Sequence, residues 1–422
     1  MVSGPPRSGK TVFAEQLVRS GPGGLLLDAR SPGIAAALAE PVLCLELLAA
    51  AMKTEAPVRL FGARLLVLDN ADEEIARAAA AFVAATGPGK PLPPGAAASP
   101  EAQSAAAPLP EAAKRLRLVL VGARFPEEVP GRRLELGGLT LPEVGRGSRA
   151  GHWLRGGFPE AYGAASDQAA LAWLRRYADS VAEERFARAG LPWAPGRTRA
   201  LLSMLAEAHG APLNENAAAR SLGVSRPTIV RSVRALERAG LVSFLPALPE
   251  PAEAPGSAPA GGPGAAAATP AANAAAAPPT AAGKRLVRAP ALYLRDSGLL
   301  HALLGIQGAE GLLGSARLAA SWEGYAIEQC RAVLPAGVES ARRRSQDGAG
   351  LELVLHRAGR PLLGAAIRWS RAGEPSRGAR IAAREIGAES NWLVLPEGDE
   401  RRLECGFSVA GLGRFLEIVA GL

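Results

Sequence analysis

Apolar residues in the first 165 positions come in short runs separated by longer mixed segments. Four of these runs have the length of buried strands, and they lie at residues 24–28, 64–69, 116–121 and 133–136. The stretches 35–52 and 73–85 between them have the length and apolar spacing of helices. Strands that alternate with helices predict an α/β fold, in which a parallel sheet is covered by helices on both faces.

Residues 197–244 have the apolar spacing of three helices followed by a strand. Gly223 provides a tight turn between the second and third helices, and Ser225 caps the third. Apolar residues recur along the third helix at i, i+4 and i+7, and these are Ile229, Val233 and Leu236. The strand after it begins a hairpin whose returning strand we place at Lys284–Val287. This order of elements predicts a winged helix-turn-helix.

The predicted third helix of this group is also rich in basic residues: Arg226, Arg231, Arg234 and Arg238. Two interpretations stay open. The arginines are those of a helix that reads DNA, or they are the solvated face of a packing module. The arginine-rich composition of the whole chain favours the second interpretation slightly.

Two stretches, 86–113 and 249–283, consist mainly of alanine, proline and glycine. They contain too little large apolar surface to offset the entropy lost on folding, so we interpret them as disordered insertions. Without them, three dense segments remain, which we predict to be domains at 1–165, 166–300 and 301–422.

The chain has 422 residues, a net charge of +8 and a pI of about 9.9. Because almost all of its basic residues are arginine, the charge carries little weight as a sign of nucleic-acid binding. The three cysteines are widely separated and have no zinc-binding spacing, which favours ordinary packing. We find no run of residues apolar enough to span a membrane and no signal peptide, and we therefore expect a cytoplasmic protein with no membrane partner.

The clearest chemical motif is at the start of the chain, where residues 4–11 fit the phosphate-binding pattern G-x-x-x-x-G-K-[ST]. Its members are Gly4, Pro5, Pro6, Arg7, Ser8, Gly9, Lys10 and Thr11. In such a loop the backbone N–H groups surround the phosphates, the lysine reaches the outer phosphates and the hydroxyl binds Mg²⁺. A second element supports this interpretation, because the apolar run 65–69 ends in Asp69, as in a Walker B strand. We therefore predict ATP and Mg²⁺ as cofactors, with Thr11 and Asp69 as metal ligands.

Hydrolysis of the nucleotide is less well supported by the residues than its binding. Asn70 follows Asp69 where a water-orienting glutamate is expected, and asparagine cannot act as a general base. Ala123 stands at the end of the next predicted strand, where a polar sensor residue is expected. We expect a nucleotide-dependent switch with at most weak ATPase activity. The alternative is a DNA-binding winged-helix regulator with a vestigial nucleotide site.

Taken together, the motifs resemble those of the prokaryotic AAA-like ATP-binding proteins that carry a C-terminal domain of unknown function. The matching segments are GPPRSGKT, LVLD, HWLRGGFPEAY, AAARSLGVSRPTIVRSVRALE, GKRLVRAPALYLRDSGLLHALLGI and ASWEGYAIEQ. The resemblance implies an AAA-like core, a winged helix and a C-terminal nuclease-like fold. Members of that family usually begin well before the phosphate loop, and two explanations stay open: the true N-terminus lies upstream of Met1, or the site is loosened. The family's Glu-Arg-Asp motif appears here as residues 183–185, Glu-Glu-Arg.

A nuclease of the PD-(D/E)xK kind needs a helix glutamate, a strand aspartate and a Glu-x-Lys on the next strand. Glu323 fits the first role, and Glu352 stands in place of the aspartate. Ala366 and Arg368 fall where the glutamate and lysine are expected, so one metal ligand is missing. We therefore expect no nuclease activity from this segment.

Overall fold

A computed structural model describes the fold of the chain. The described residues are 2–3, 10–20, 24–28, 65–71, 75–77, 79, 117–122, 128–129, 134–135, 137–180, 186–188, 191, 193–249, 286–346, 348–370 and 373–422. They form two compact units. Unit 1 consists of Met1–Leu202, Glu215–Ser243 and Arg295–Gly308, and unit 2 consists of Ser203–Asn214, Phe244–Leu294 and Ala309–Leu422. The predicted domain boundaries at 165 and 300 stay predictions, and nearly all of both predicted insertions lies outside the described residues.

The strands of the described chain are β1 (Val2–Ser3), β2 (Gly24–Asp28), β3 (Leu65–Ala71), β4 (Arg117–Gly122), β5 (Leu134–Glu135), β6 (Val242–Leu245), β7 (Ala291–Leu294), β8 (Glu339–Arg344), β9 (Gly350–Arg357), β10 (Arg360–Ile367), β11 (Ser390–Leu395), β12 (Arg401–Arg402) and β13 (Ser408–Gly411). The α-helices are α1 (Lys10–Ser20), α2 (Leu141–Val144), α3 (Arg149–Arg155), α4 (Pro159–Tyr162), α5 (Asp167–Ser180), α6 (Phe186–Arg188), α7 (Pro195–Glu207), α8 (Glu215–Leu222), α9 (Arg226–Arg238), α10 (Ser297–Leu303), α11 (Gly308–Leu313), α12 (Leu318–Ala332), α13 (Arg377–Ile386) and α14 (Leu412–Ala420). The prediction of a mixed α/β protein is confirmed.

Unit 1 contains a five-stranded sheet in the order β2-β3-β4-β1-β5. Strand β3 pairs in parallel with β2 and β4, and β1 pairs in parallel with β4 and β5. The four predicted strands correspond to β2, β3, β4 and β5. Helix α1 packs against β2, β3 and β4, with Ala14 fully buried. The predicted helix at 35–52 lies outside the described residues, and of the one at 73–85 only Ile75–Arg77 and Ala79 are described, all four helical.

Helices α7, α8 and α9 follow one another and precede β6, as the apolar spacing predicts. Gly223 has a φ of +63° between α8 and α9. The Ser225 side chain accepts a hydrogen bond from the backbone N–H of Thr228 and so caps α9. The predicted returning strand at Lys284–Val287 is wrong, because β6 pairs with β7 (Ala291–Leu294), whose four residues are all buried.

Unit 2 contains a six-stranded sheet in the order β12-β13-β11-β10-β9-β8. Strands β8, β9 and β10 form an antiparallel meander, and β11 runs parallel to both β10 and β13. Helix α13 packs against β9 and β10, while α12 and α14 pack against each other. Cys330 is buried in α12, as expected for a packing residue. No helix in the described parts of the chain is long and apolar enough to cross a membrane.

Candidate functional site

The predicted phosphate-binding loop lies between β1 and α1. Residues Gly4–Gly9 are outside the described residues, but the elements on either side of them are described. Helix α1 begins at Lys10, which is half-buried, and Thr11 at its second position is exposed. The motif therefore joins a strand of a parallel sheet to the first turn of a helix. The peptide dipoles of a helix make its first turn favourable for negative charge.

Asp69 lies in β3 of the same sheet, where its Cα is paired with that of Asp28 in β2. One strand, β4, separates β3 from β1. Because the strands are parallel, their carboxyl ends lie at one edge of the sheet, and the loop that follows β1 starts at that edge. The spacing between strands puts β3 roughly 10 Å from β1. Asn70 continues in β3, while Ala123 and residues 183–185 lie outside the described residues.

Helix α9 carries its apolar and basic residues on different faces. Ile229, Val233 and Leu236 are buried, whereas Arg226, Arg231, Arg234 and Arg238 are all exposed. Arg226 forms an ion pair with Glu215 of α8 at 2.7 Å. The other three arginines have no ion-pair partner among the described residues. This leaves a basic face on α9, formed by Arg231, Arg234 and Arg238.

The charged residues that the sequence suggests as a degenerate nuclease centre are brought together in unit 2. Glu323 lies in α12, Glu352 in β9, and Arg368 directly after β10. Glu352 accepts hydrogen bonds from two donors, because Arg368 Nη1 lies 2.8 Å from its Oε1 and the Ile367 N–H lies 3.1 Å from its Oε2. Glu323 Oε1 accepts a hydrogen bond of 2.6 Å from the hydroxyl of Tyr293 in β7. We call Tyr293, Glu323, Glu352 and Arg368 the carboxylate centre.

Burial and the neighbouring charges shift the pKa values of several groups in and beside the carboxylate centre. Desolvation and, to a smaller extent, the negative charge of Glu352 together raise the pKa of Glu323 to about 7, against the hydrogen bond from Tyr293. Burial and the nearby Glu323 raise the pKa of Tyr293 well above its usual value. Burial also lowers the pKa of Arg342, which is 3% exposed and donates a 2.9 Å hydrogen bond to the carbonyl oxygen of Ala289. Tyr293 belongs to none of the catalytic motifs read from the sequence, and its contact with Glu323, 30 positions away, is visible only in the fold.

A second acid, the half-buried Asp296 of unit 1, was not singled out from the sequence. Its carboxylate accepts hydrogen bonds of 2.7 Å from the N–H groups of Gly157 and Leu299, and so links the G-G-F-P segment to the start of α10. Burial raises the pKa of Asp296 to about 6, although the hydrogen bonds from the backbone act in the opposite direction. These contacts join two of the matching segments within unit 1.

Comparisons with known proteins place the chain in a family. Residues 148–254 match the domain of unknown function DUF8612. The uncharacterized protein Rv2008c of Mycobacterium tuberculosis is 30% identical over 413 residues, which cover 95% of this chain and 77% of the relative. The uncharacterized protein Mb2031c of Mycobacterium bovis matches with the same identity and coverage. No solved structure matches the chain significantly. The chain therefore belongs to the same protein family as these two mycobacterial proteins.

Proposed function

We propose that unit 1 binds ATP with Mg²⁺ and acts as an AAA-like, nucleotide-dependent switch. The observation that carries the proposal is the context of the G-x-x-x-x-G-K-T motif. A motif of this kind is meaningful only where it joins a strand to a helix. Here it joins β1, an internal strand of a parallel sheet, to α1, which begins at Lys10. In this proposal residues Gly4–Thr11 surround the phosphates, and Lys10 contacts the outer ones.

Mg²⁺ in this proposal is held by Thr11 and Asp69 together with the phosphates. Thr11 is exposed at the start of α1, and Asp69 lies on β3 at the same edge of the sheet. Hard oxygen ligands of this kind suit Mg²⁺, which keeps several of its waters and takes only one or two protein ligands. The roughly 10 Å between the two strands leaves room for the ion and its waters.

The proposed turnover is slow or absent. Asn70 lies in β3 directly after Asp69, and its amide can orient a water molecule but cannot accept the proton that the attacking water loses. A switch that holds ATP for a long time fits this arrangement better than a rapid ATPase does.

Calorimetric titration of the full chain with ATP and Mg²⁺ tests the proposal, with phosphate release measured on the same samples. Lys10→Ala is expected to weaken ATP binding at least tenfold, whereas Lys284→Ala, which removes the same charge outside the motif, is expected to leave binding unchanged. The absence of ATP binding to the unsubstituted chain would refute the proposed function. Rapid phosphate release that depends on Lys10 would retain the site but reject the slow switch.

A second candidate function is DNA binding through α9, the third helix of the winged helix-turn-helix predicted at residues 197–244. The observation that favours it is the basic face of α9, where three exposed arginines have no acidic partner among the described residues. Arginines in this arrangement contact phosphates and make affinity dependent on salt. The remaining interpretation is a packing module whose arginines only contact water.

The salt dependence of binding to a fluorescent DNA duplex distinguishes these interpretations. If α9 contacts DNA, Arg231→Ala/Arg234→Ala should weaken binding and reduce the slope of log K against log salt by about 2. Arg401→Ala/Arg402→Ala is the matched control, since it removes two exposed arginines from β12 in unit 2. Equal affinities and slopes for the two double variants would reject α9 as the DNA contact.

A further inference from the structure

The nuclease-like fold suggested for unit 2 implies a divalent metal at the carboxylate centre, so the residues present can be tested for their fit to such an ion. A divalent cation needs several free carboxylate oxygens directed at one point. The third acid of the expected set is replaced by Ala366, which is fully buried in an apolar cluster with Leu351, Val354 and Leu393. In the described part of the chain, no group of three or more His, Cys, Asp or Glu side chains could hold a metal ion.

The two carboxylates that remain already have hydrogen-bond donors from the protein. Glu352 accepts from the Arg368 guanidinium through one oxygen and from the Ile367 N–H through the other. Its side chain is only 14% exposed, so it has little access to other partners. Glu323 accepts from the Tyr293 hydroxyl. A metal ion that bound here would have to displace these donors.

The local charge opposes a metal ion as well. Two guanidinium groups, those of Arg344 and Arg368, act on Glu323, and Arg342 acts on Tyr293. Three positive side chains therefore surround two carboxylates, and the sum is positive even when both acids are ionised. A site that attracts Mg²⁺ or Mn²⁺ needs a net negative charge, because in a poorly hydrated environment an excess of positive side chains repels a divalent cation.

We propose that the guanidinium of Arg368 is the resident cation of this centre, bound to Glu352 in the place of a divalent metal. Arginine suits this role because it remains charged at any physiological pH and its planar group matches a carboxylate. The Glu323–Glu352 pair is then neutralised from within the chain, and unit 2 binds no catalytic metal at this position. The proposal concerns unit 2 and does not depend on nucleotide binding by unit 1.

The proposal predicts that Arg368→Gln leaves Glu352 without its cation, so the melting temperature of the full chain at pH 8 should fall. The decrease should be smaller when Glu352 is already glutamine, because no charge is then left uncompensated. Mn²⁺ binding without nucleotide, measured by electron paramagnetic resonance, should stay unchanged in Arg368→Gln, since Ala366 still leaves the set one acid short. Arg360→Gln is the matched control, since it breaks an exposed 2.8 Å ion pair with Glu389 in the same unit and should change the melting temperature much less.

A separate comparison remains decisive if Arg368→Gln does not fold. Under the proposal, Glu352→Gln and Glu323→Gln leave the Mn²⁺ isotherm of the otherwise unsubstituted chain unchanged. Loss of a bound Mn²⁺ equivalent in either variant would show that the centre already holds a metal and would overturn the proposal. A folded Arg368→Gln variant as stable as the unsubstituted chain would equally reject Arg368 as the substitute cation.

Discussion

The carboxylate of Asp296 accepts a 2.7 Å hydrogen bond from the backbone N–H of Gly157, although 139 positions separate the two residues. The same carboxylate accepts from the Leu299 N–H at 2.7 Å and thereby caps α10. One carboxylate therefore accepts hydrogen bonds from backbone N–H groups of two segments of unit 1 that are far apart in the sequence. Because an unsatisfied buried N–H is costly, we expect this residue to be important for stability.

Replacing Asp296 by asparagine should lower the free energy of unfolding by about 1–3 kcal/mol, because the amide has one acceptor oxygen where the carboxylate has two. Amide hydrogen exchange should become faster at Gly157 or Leu299. Asp399→Asn, at an exposed position of unit 2, serves as the control and should change neither quantity. Unchanged exchange at both amides would contradict the assigned contacts.

Gly298 and Gly151 should respond in opposite directions to substitution by alanine. A Cβ on Gly298 would collide with the carbonyl oxygen of Arg155, so the backbone would have to move, at a cost of about 1–3 kcal/mol. A Cβ on Gly151, within α3, meets no atom within 4 Å. Alanine there should stabilise the helix by about 0.5–1 kcal/mol. Urea denaturation of the two variants measures the change in the free energy of unfolding, which should fall for Gly298→Ala and rise for Gly151→Ala. A stabilised Gly298→Ala would show that Gly298 does not lie close to the carbonyl oxygen of Arg155.

His301 should make unit 1 sensitive to acid. Burial lowers its pKa from 6.5 to about 4, and its Nδ1 lies 3.0 Å from the carbonyl oxygen of Leu154. The folded state therefore binds fewer protons than the unfolded state between these two values, so this contribution to stability decreases as the pH falls from 6.5 towards 4. The full loss is on the order of 3 kcal/mol.

His301→Asn isolates this contribution, because asparagine does not titrate. The stability of the unsubstituted chain relative to the variant should fall steadily between pH 6.5 and pH 4 in urea denaturation. Asp296 has a raised pKa and contributes the opposite trend over part of this range, but it is present in both proteins and cancels in the difference. A difference independent of pH would show that His301 is charged in the folded state or exposed.

The hydrogen bond between Tyr293 and Glu323 can be measured with a double-mutant cycle. Tyr293→Phe removes the hydroxyl but retains the ring, which packs edge-on against His209 with centroids 5.1 Å apart. The loss of a hydrogen bond to a charged group predicts a cost of about 1.5–3 kcal/mol at pH 8. The cost should become smaller when Glu323 is already glutamine. Additive single effects would show that the two side chains do not interact.

Several local features of the fold were predictable because they depend on neighbouring residues. The apolar runs that become β2, β3 and β4 are short and bounded by turn-forming or polar residues. Ser225 was recognisable as the cap of α9 from its position before Arg226 and Pro227. Glu323 and Glu352 were recognisable from the spacing of a nuclease-like motif, and they lie in α12 and β9. ATP binding, DNA binding and the predicted domain boundaries stay predictions.

The pairing of distant segments was not predictable in the same way. Both 284–287 (Lys-Arg-Leu-Val) and 291–294 (Ala-Leu-Tyr-Leu) follow β6 along the chain, and the strand that pairs with β6 is the one that the fold buries. The structure selects Ala291–Leu294, whereas Leu286 forms an isolated bridge with Ser345. Tyr293, which contacts Glu323, lies in the selected strand.

The sequence by itself determined the alternation of strands and helices, the G-x-x-x-x-G-K-T motif and the presence of Ala366 at the position where a nuclease-like motif would have an acid. These features are encoded by residue type and spacing along a continuous stretch of chain. Only the tertiary structure decided that Arg368 pairs with Glu352 and that Asp296 joins two segments far apart in the chain. The physical reason is that a side chain finds its partner through packing and strand register, which many distant residues determine together.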